Sequence, residues 1–206
     1  MLLCTAIAAG LFALGTDVNL VSLLGNLEVA TEQEALRADA LMTLAGNLQG
    51  CALFATGVVF IIWFHRSRVN AEHYTRDVCT LGRGWAIGSW FIPIGNLGLP
   101  FRVAKETWQA SAQSAPHGSW RTVSTAPVRA WWAVWILGAG LGNVGYALAL
   151  ATDTPETARL GMTAVAVADL LDITAAVLAI LFVRKLTRMQ QTAAAPYTAP
   201  RPSPQP

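Results

Sequence analysis

Four mostly apolar stretches, at about residues 2–24, 43–64, 130–150 and 160–183, constrain this chain more than any other feature. Each is close to the ~20 residues that a helix needs to cross the hydrocarbon core of a bilayer. Lipid offers no partner to backbone N–H and C=O groups, so segments of this kind span as helices. The expected fold is therefore all-α: a polytopic membrane domain over residues 1–190, followed by a disordered Pro-rich tail over 191–206. Composition agrees. Only 13% of the residues are charged and 54% are hydrophobic, whereas a soluble domain needs roughly 25% charged residues to cover its surface. The net charge of +2 is too small to imply nucleic acid.

Charge placement sets the expected orientation. Residues 65–129 carry eight Lys or Arg against three acids, and the residues after Val183 carry four Lys or Arg and no acid. Between the first two spans Glu28, Glu32, Glu34 and Asp39 outnumber Arg37, and between the last two lie Asp153, Glu156 and Arg159. Basic loops stay on the cytoplasmic side, so the long loop, the tail and both termini are expected in the cytoplasm. Arginine outnumbers lysine 12 to 2, which points to a GC-rich bacterial genome and hence to a bacterial inner membrane. The first span opens at Met1 with no positive residue ahead of it, so a signal peptide is not expected, and a native start further upstream is.

Local signals place some helix ends. Thr31 and Glu34 read as a capping box, in which each side chain satisfies the other's backbone N–H. Thr154 and Pro155 suit the N-cap and first position of the last helix. Trp63, Trp131 and Trp132 fall where an interfacial aromatic belt belongs. Residues 85–101 are apolar but are interrupted by Pro93, Pro100, Gly88, Gly95 and Gly98, with arginines at both ends. They are expected as a re-entrant or interfacial segment rather than a span, with Trp85 and Trp90 as its anchors, and a short amphipathic helix is expected over 101–111.

Several local runs stand out together: Trp63-Phe64-His65-Arg66 with Asn70-Ala71-Glu72, the run from Gly84-Trp85 through Trp90-Phe91-Ile92-Pro93-Ile94 to Asn96-Leu97 and Pro100, and Val103, Glu106 and Trp108. On these the sequence resembles the bacterial membrane family called domain of unknown function 4328. Trp131-Trp132, Trp135, Val183-Arg184, Thr187 and Gln190 extend the resemblance. It covers nearly the whole chain except the tail, and the lead-in to the first span is short for the family. The resemblance implies a polytopic membrane protein and no particular activity.

Asp169 and Asp172 are the foremost site candidates. They stand three residues apart near the middle of the fourth span, where each Asp costs roughly 2.5–3.5 kcal/mol to insert. Val165, Ala168, Ala176 and Ala179 share the Asp172 face, while Leu170, Ile173, Val177 and Leu181 lie opposite, so one face suits close helix contact and the other lipid. Such a pair serves either a proton or cation site or helix packing by hydrogen-bonded carboxyls. Gly138 and Gly142 form a small-xxx-small pattern on the third span, which Gly145 and Ala149 continue, and which suits close approach of another helix. Asn143 lies there at a depth similar to Asp169. Trp90, Pro93, Asn96, Pro100, Glu106 and Trp108 complete the candidates, with Asn96 placed to offer polar groups to an ion or a lipid head group.

No cofactor or metal is expected. Gly140, Gly142 and Gly145 match a dinucleotide pattern but sit inside a span, without the strand that pattern requires. Cys4, Cys51 and Cys79 have no ligand spacing, and His65, His73 and His117 form no constellation. Ser89, Ser111 and Ser114 lack a nucleophile-elbow context. The expected function is a non-enzymatic accessory or scaffold protein. The alternative is a small oligomeric transporter or channel using Asp169 and Asp172. Expected partners are the lipid bilayer, anionic lipids at the basic loop, a protein binding the Pro-rich tail, and a second copy of the chain.

Overall fold

The structure, a computed structural model, describes residues 1–26, 31–113, 123–151 and 154–194. It consists of α1 (Leu2–Leu24), α2 (Glu32–Tyr74), a 3-10 turn (Arg76–Val78), α3 (Trp85–Gly88), a second 3-10 turn (Ile94–Leu97), α4 (Leu99–Gln113), α5 (Ala126–Leu150) and α6 (Pro155–Ala194). No strand occurs among the described residues. The protein is an all-α polytopic membrane protein: α1, α2, α5 and α6 are each long and apolar enough to cross a bilayer. Their apolar residues are largely uncovered by protein. Phe54, Leu137, Val144 and Leu181 are all exposed, an arrangement that water would penalise and lipid does not.

The expected capping box forms. The Thr31 backbone N–H donates to Glu34 Oε2 at 2.9 Å, and the Glu34 N–H donates to Thr31 Oγ1 at 3.3 Å. Pro155 opens α6, where its missing N–H removes no helical hydrogen bond. Helix α2 then runs for 43 residues, about 65 Å at 1.5 Å per residue. That is twice the ~30 Å hydrocarbon thickness, so much of it lies outside lipid. Helix α6 also outruns its apolar window and continues to Ala194. It thereby takes in residues 191–194, which the sequence placed in the tail; the rest of that tail lies outside the described residues. Helix α4 begins two residues earlier than expected and carries Pro100 in its first turn, where proline is tolerated.

The chain divides into two compact units. One comprises Met1–Trp63 and Ala126–Phe182, the other Phe64–Thr125 and Val183–Pro206. In the first unit, α5 and α6 pack backbone to backbone. A Cβ added at Gly161 would lie 2.6 Å from the Gly145 carbonyl oxygen and the Ala149 nitrogen, and one at Gly142 would lie 3.3 Å from Ala168 Cβ. The small face of α5 is thus used as expected. Helix α1 approaches α6 by the same means: a Cβ at Gly10 would meet Ile173 Cγ1 at 3.2 Å. Ile173, expected on the lipid face, is therefore a helix contact, whereas Leu170, Val177 and Leu181 are exposed.

Trp131 and Trp132 are buried, and Trp131 stacks on Phe182 with ring centroids 5.3 Å apart and planes 7° from parallel. Phe60 and Trp63 close on the same cluster at 5.5–5.9 Å. These rings fill the space between helices because an indole ring packs a large apolar area.

Candidate functional site

Inside the first unit, acidic side chains from two helices converge. The buried residues of α1 are Ala6, Gly10, Ala13, Thr16 and Asp17, one helical stripe of small side chains ending in a carboxyl. That stripe brings α1 close enough for the buried Asp17 to meet the buried Asp169 of α6. The two carboxyl groups lie within hydrogen-bonding reach of each other. Gln49 of α2 donates from Nε2 to Asp169 Oδ1 at 2.9 Å. Asp169 Oδ2 is buried and receives no donor among the described residues. An ionised carboxylate only accepts, so two carboxyls can bond to each other only around a proton.

Asp172 takes a different direction. A Cβ built at Gly138 would lie 2.8 Å from Asp172 Oδ1, so this carboxyl rests against the α5 backbone. The expected pair thus splits, with Asp169 toward α1 and α2 and Asp172 toward α5. Asn143 joins neither. It is exposed, and its Nδ2 donates to the Ala139 carbonyl one turn back on its own helix at 2.7 Å. Asp17 and Gln49 were not singled out as site residues from sequence. The available signal was the acid Asp17 interrupting an apolar span.

The remaining candidates belong to the second unit. Glu106, on α4, is held by Arg68 of α2 at 2.9 Å, by the Thr80 hydroxyl at 2.5 Å and by the Leu81 N–H at 3.3 Å. Arg68 is fully buried and also reaches Glu72 at 3.4 Å and the Leu81 carbonyl. Burial pushes the Glu106 carboxyl up, but the hydrogen bonds from Thr80, Arg68 and Leu81 and the Arg68 charge outweigh it and hold the group below the usual glutamate range. Trp108 is fully buried, with Lys185 Nζ 5.3 Å from its ring centroid, a cation–π distance. Gln190 donates to the Ser67 carbonyl at 2.8 Å and to Ser111 Oγ at 3.0 Å. These contacts cross-link α2, α4 and α6.

Trp90 meets Phe64 edge-on at 6.5 Å. Pro93 is exposed and Pro100 buried. Asn96 turns a buried Oδ1 inward with no donor among the described residues. Within those residues, no group of three or more His, Cys, Asp or Glu could hold a metal ion.

A family model described as Domain of unknown function (DUF4328) matches residues 27–188. The match takes in Gln49, Asp169, Asp172, Arg68 and Glu106, and begins after α1, which carries Asp17. No curated protein and no solved structure matches the chain.

Proposed function

The chain belongs to the family described as Domain of unknown function (DUF4328), and from its geometry we propose a non-enzymatic multi-pass membrane protein that works as a small proton-linked transporter, with the Asp17–Asp169 pair as its proton-binding site. The observation that carries this is the meeting of two buried carboxyls from different apolar helices, with Gln49 fixing one oxygen. Ionisable groups at membrane depth are expensive, and they mark proton and ion pathways more often than lipid-facing positions. Loss or gain of the shared proton changes the attraction between α1 and α6, so protonation and helix packing are linked at this point. Asp172, resting on Gly138, is the group through which α5 senses the same change. The functional unit is proposed to be a homo-oligomer.

The test is proton flux in proteoliposomes under an imposed potassium diffusion potential. Asp169→Asn and Asp17→Asn are each expected to abolish flux while the protein remains monodisperse and helical. Flux unchanged by both substitutions rejects the reading. Loss of folding in both assigns the pair to packing.

An accessory or scaffold role is the second reading. Its support is the second unit, where the cross-links among α2, α4 and α6 leave Arg66, Arg83 and Arg102 exposed. The charge bias supports placing this unit in the cytoplasm of a bacterial inner membrane, with both termini inside.

A further inference from the structure

In the second unit, every large apolar side chain exposed among the described residues lies between positions 85 and 97: Trp85, Ile87, Phe91, Ile92, Ile94 and Leu97. The inward side of this stretch carries small or polar side chains, and Trp90 against the buried Phe64. Ala86 and Ser89 are fully buried, and Asn96 turns its amide oxygen inward. A water-facing segment has the opposite polarity, so this one is built for an apolar surrounding on its outer side.

The backbone is suited to a shallow position. The N–H groups of Trp90, Phe91, Asn96 and Gly98 all bond within the segment, to Ile87, Gly88, Ile92 and Gly95. Yet α3 and the second 3-10 turn have only four residues each, far short of the ~20 needed to span. Charge indicates what lies outside. Arg83 precedes the segment and Arg102 follows it, both exposed, Arg102 also pairing with Glu106 at 3.4 Å and donating to the Thr80 hydroxyl at 3.1 Å, and no Asp or Glu occurs between Asp77 and Glu106. The unit is also tethered covalently, at Phe64 and Val183, to two of the helices long and apolar enough to span.

We propose that residues 85–97 dip into the headgroup and acyl boundary of an anionic leaflet without crossing it, with Phe91, Ile94 and Leu97 as the wedge and Arg83 against lipid phosphates. Interfacial elements of this kind sit about 5–10 Å deep, and basic residues beside them favour anionic lipid.

The experiment uses the full chain, one copy per nanodisc, with Cys4, Cys51 and Cys79 replaced by Ser and a single fluorophore on I94C. The 86% exposure of Ile94 makes that site tolerant. Lipids brominated near the glycerol end, lipids brominated near the chain end, and aqueous iodide serve as quenchers, in phosphatidylcholine with and without phosphatidylglycerol. The expected result is dominant quenching by the shallow bromines, strengthened by phosphatidylglycerol, with that strengthening lost in Arg83→Gln. Iodide quenching equal to that at an R188C control overturns the insertion. Deep bromines matching shallow ones overturn it in favour of a re-entrant or spanning segment. Protection from all three quenchers means that protein covers the patch, which also overturns it. Indifference to phosphatidylglycerol overturns the anionic selectivity.

Discussion

Arg68 Nη2 lies 2.9 Å from Glu106 Oε2, in an ion pair whose arginine is fully shielded from solvent. Removing one member of a buried pair strands the other charge, at a cost of about 3–5 kcal/mol, whereas replacing both by apolar or neutral groups costs far less. Arg68→Met is therefore expected to destabilise the protein strongly, and Arg68→Met with Glu106→Gln to recover a large part of that loss. Thermal unfolding in detergent measures both, and a double variant no more stable than the single one contradicts the account.

The same pair sets an acid limit. Glu106 is held below its ordinary value, so its ionised form stabilises the fold. That contribution is complete above the unfolded glutamate value, near 4.5, and is lost as pH falls through the lower folded value. Unfolding temperature is expected to drop on acidification below about pH 4.5, and to drop less steeply in Glu106→Gln. Parallel acid limbs in the two proteins would place the sensitivity elsewhere.

Gly161 supplies a test of the α5–α6 contact. An added methyl there meets backbone at 2.6 Å, so the helices must separate, and overpacking of this kind costs about 1–3 kcal/mol. Alanine gains about 1 kcal/mol in helix propensity over glycine, which offsets part of that cost but not the clash. Gly161→Ala is expected to be destabilised in an SDS titration. Gly140→Ala, with nothing within 4 Å of the new methyl, is the control and is expected to be neutral or stabilised.

What the sequence made legible is what local chemistry determines. Thr31 and Glu34 are three residues apart and cap each other wherever the helix goes, and the glycine face of α5 needed only helical periodicity. Hydropathy marked where chain enters lipid, but not where helices stop. Beyond Trp63, α2 meets no breaker before Thr75, so it continues past its apolar window. The meeting of Asp17, Gln49 and Asp169 depends on how three helices are rotated about their axes, which no single segment encodes. Trp131 matched an interfacial belt by position along the chain, but its packing against the Phe60 and Phe182 rings depends on helices far away in sequence. Arg68 was hidden among the exposed arginines of a basic loop, because its partner is 38 residues away.

Cys79 reports on orientation and on the Arg68–Glu106 network together. Burial raises its thiol above the usual range, and the Glu72 and Glu106 charges raise it further against the opposing pull of Arg68. Thiolate is the reactive form, so alkylation by a membrane-impermeant maleimide at neutral pH is expected to be slower than for a free peptide thiol. The rate should still be climbing at pH values where the peptide has levelled off. Glu106→Gln removes one raising charge and is expected to speed the reaction. Cys4 and Cys51 are exposed, so both are replaced by Ser for this measurement. Only Cys79 is then expected to label, and to do so in inverted vesicles but not in intact spheroplasts. Labelling of Cys79 in spheroplasts would reverse the proposed orientation and move the basic unit to the opposite side of the membrane.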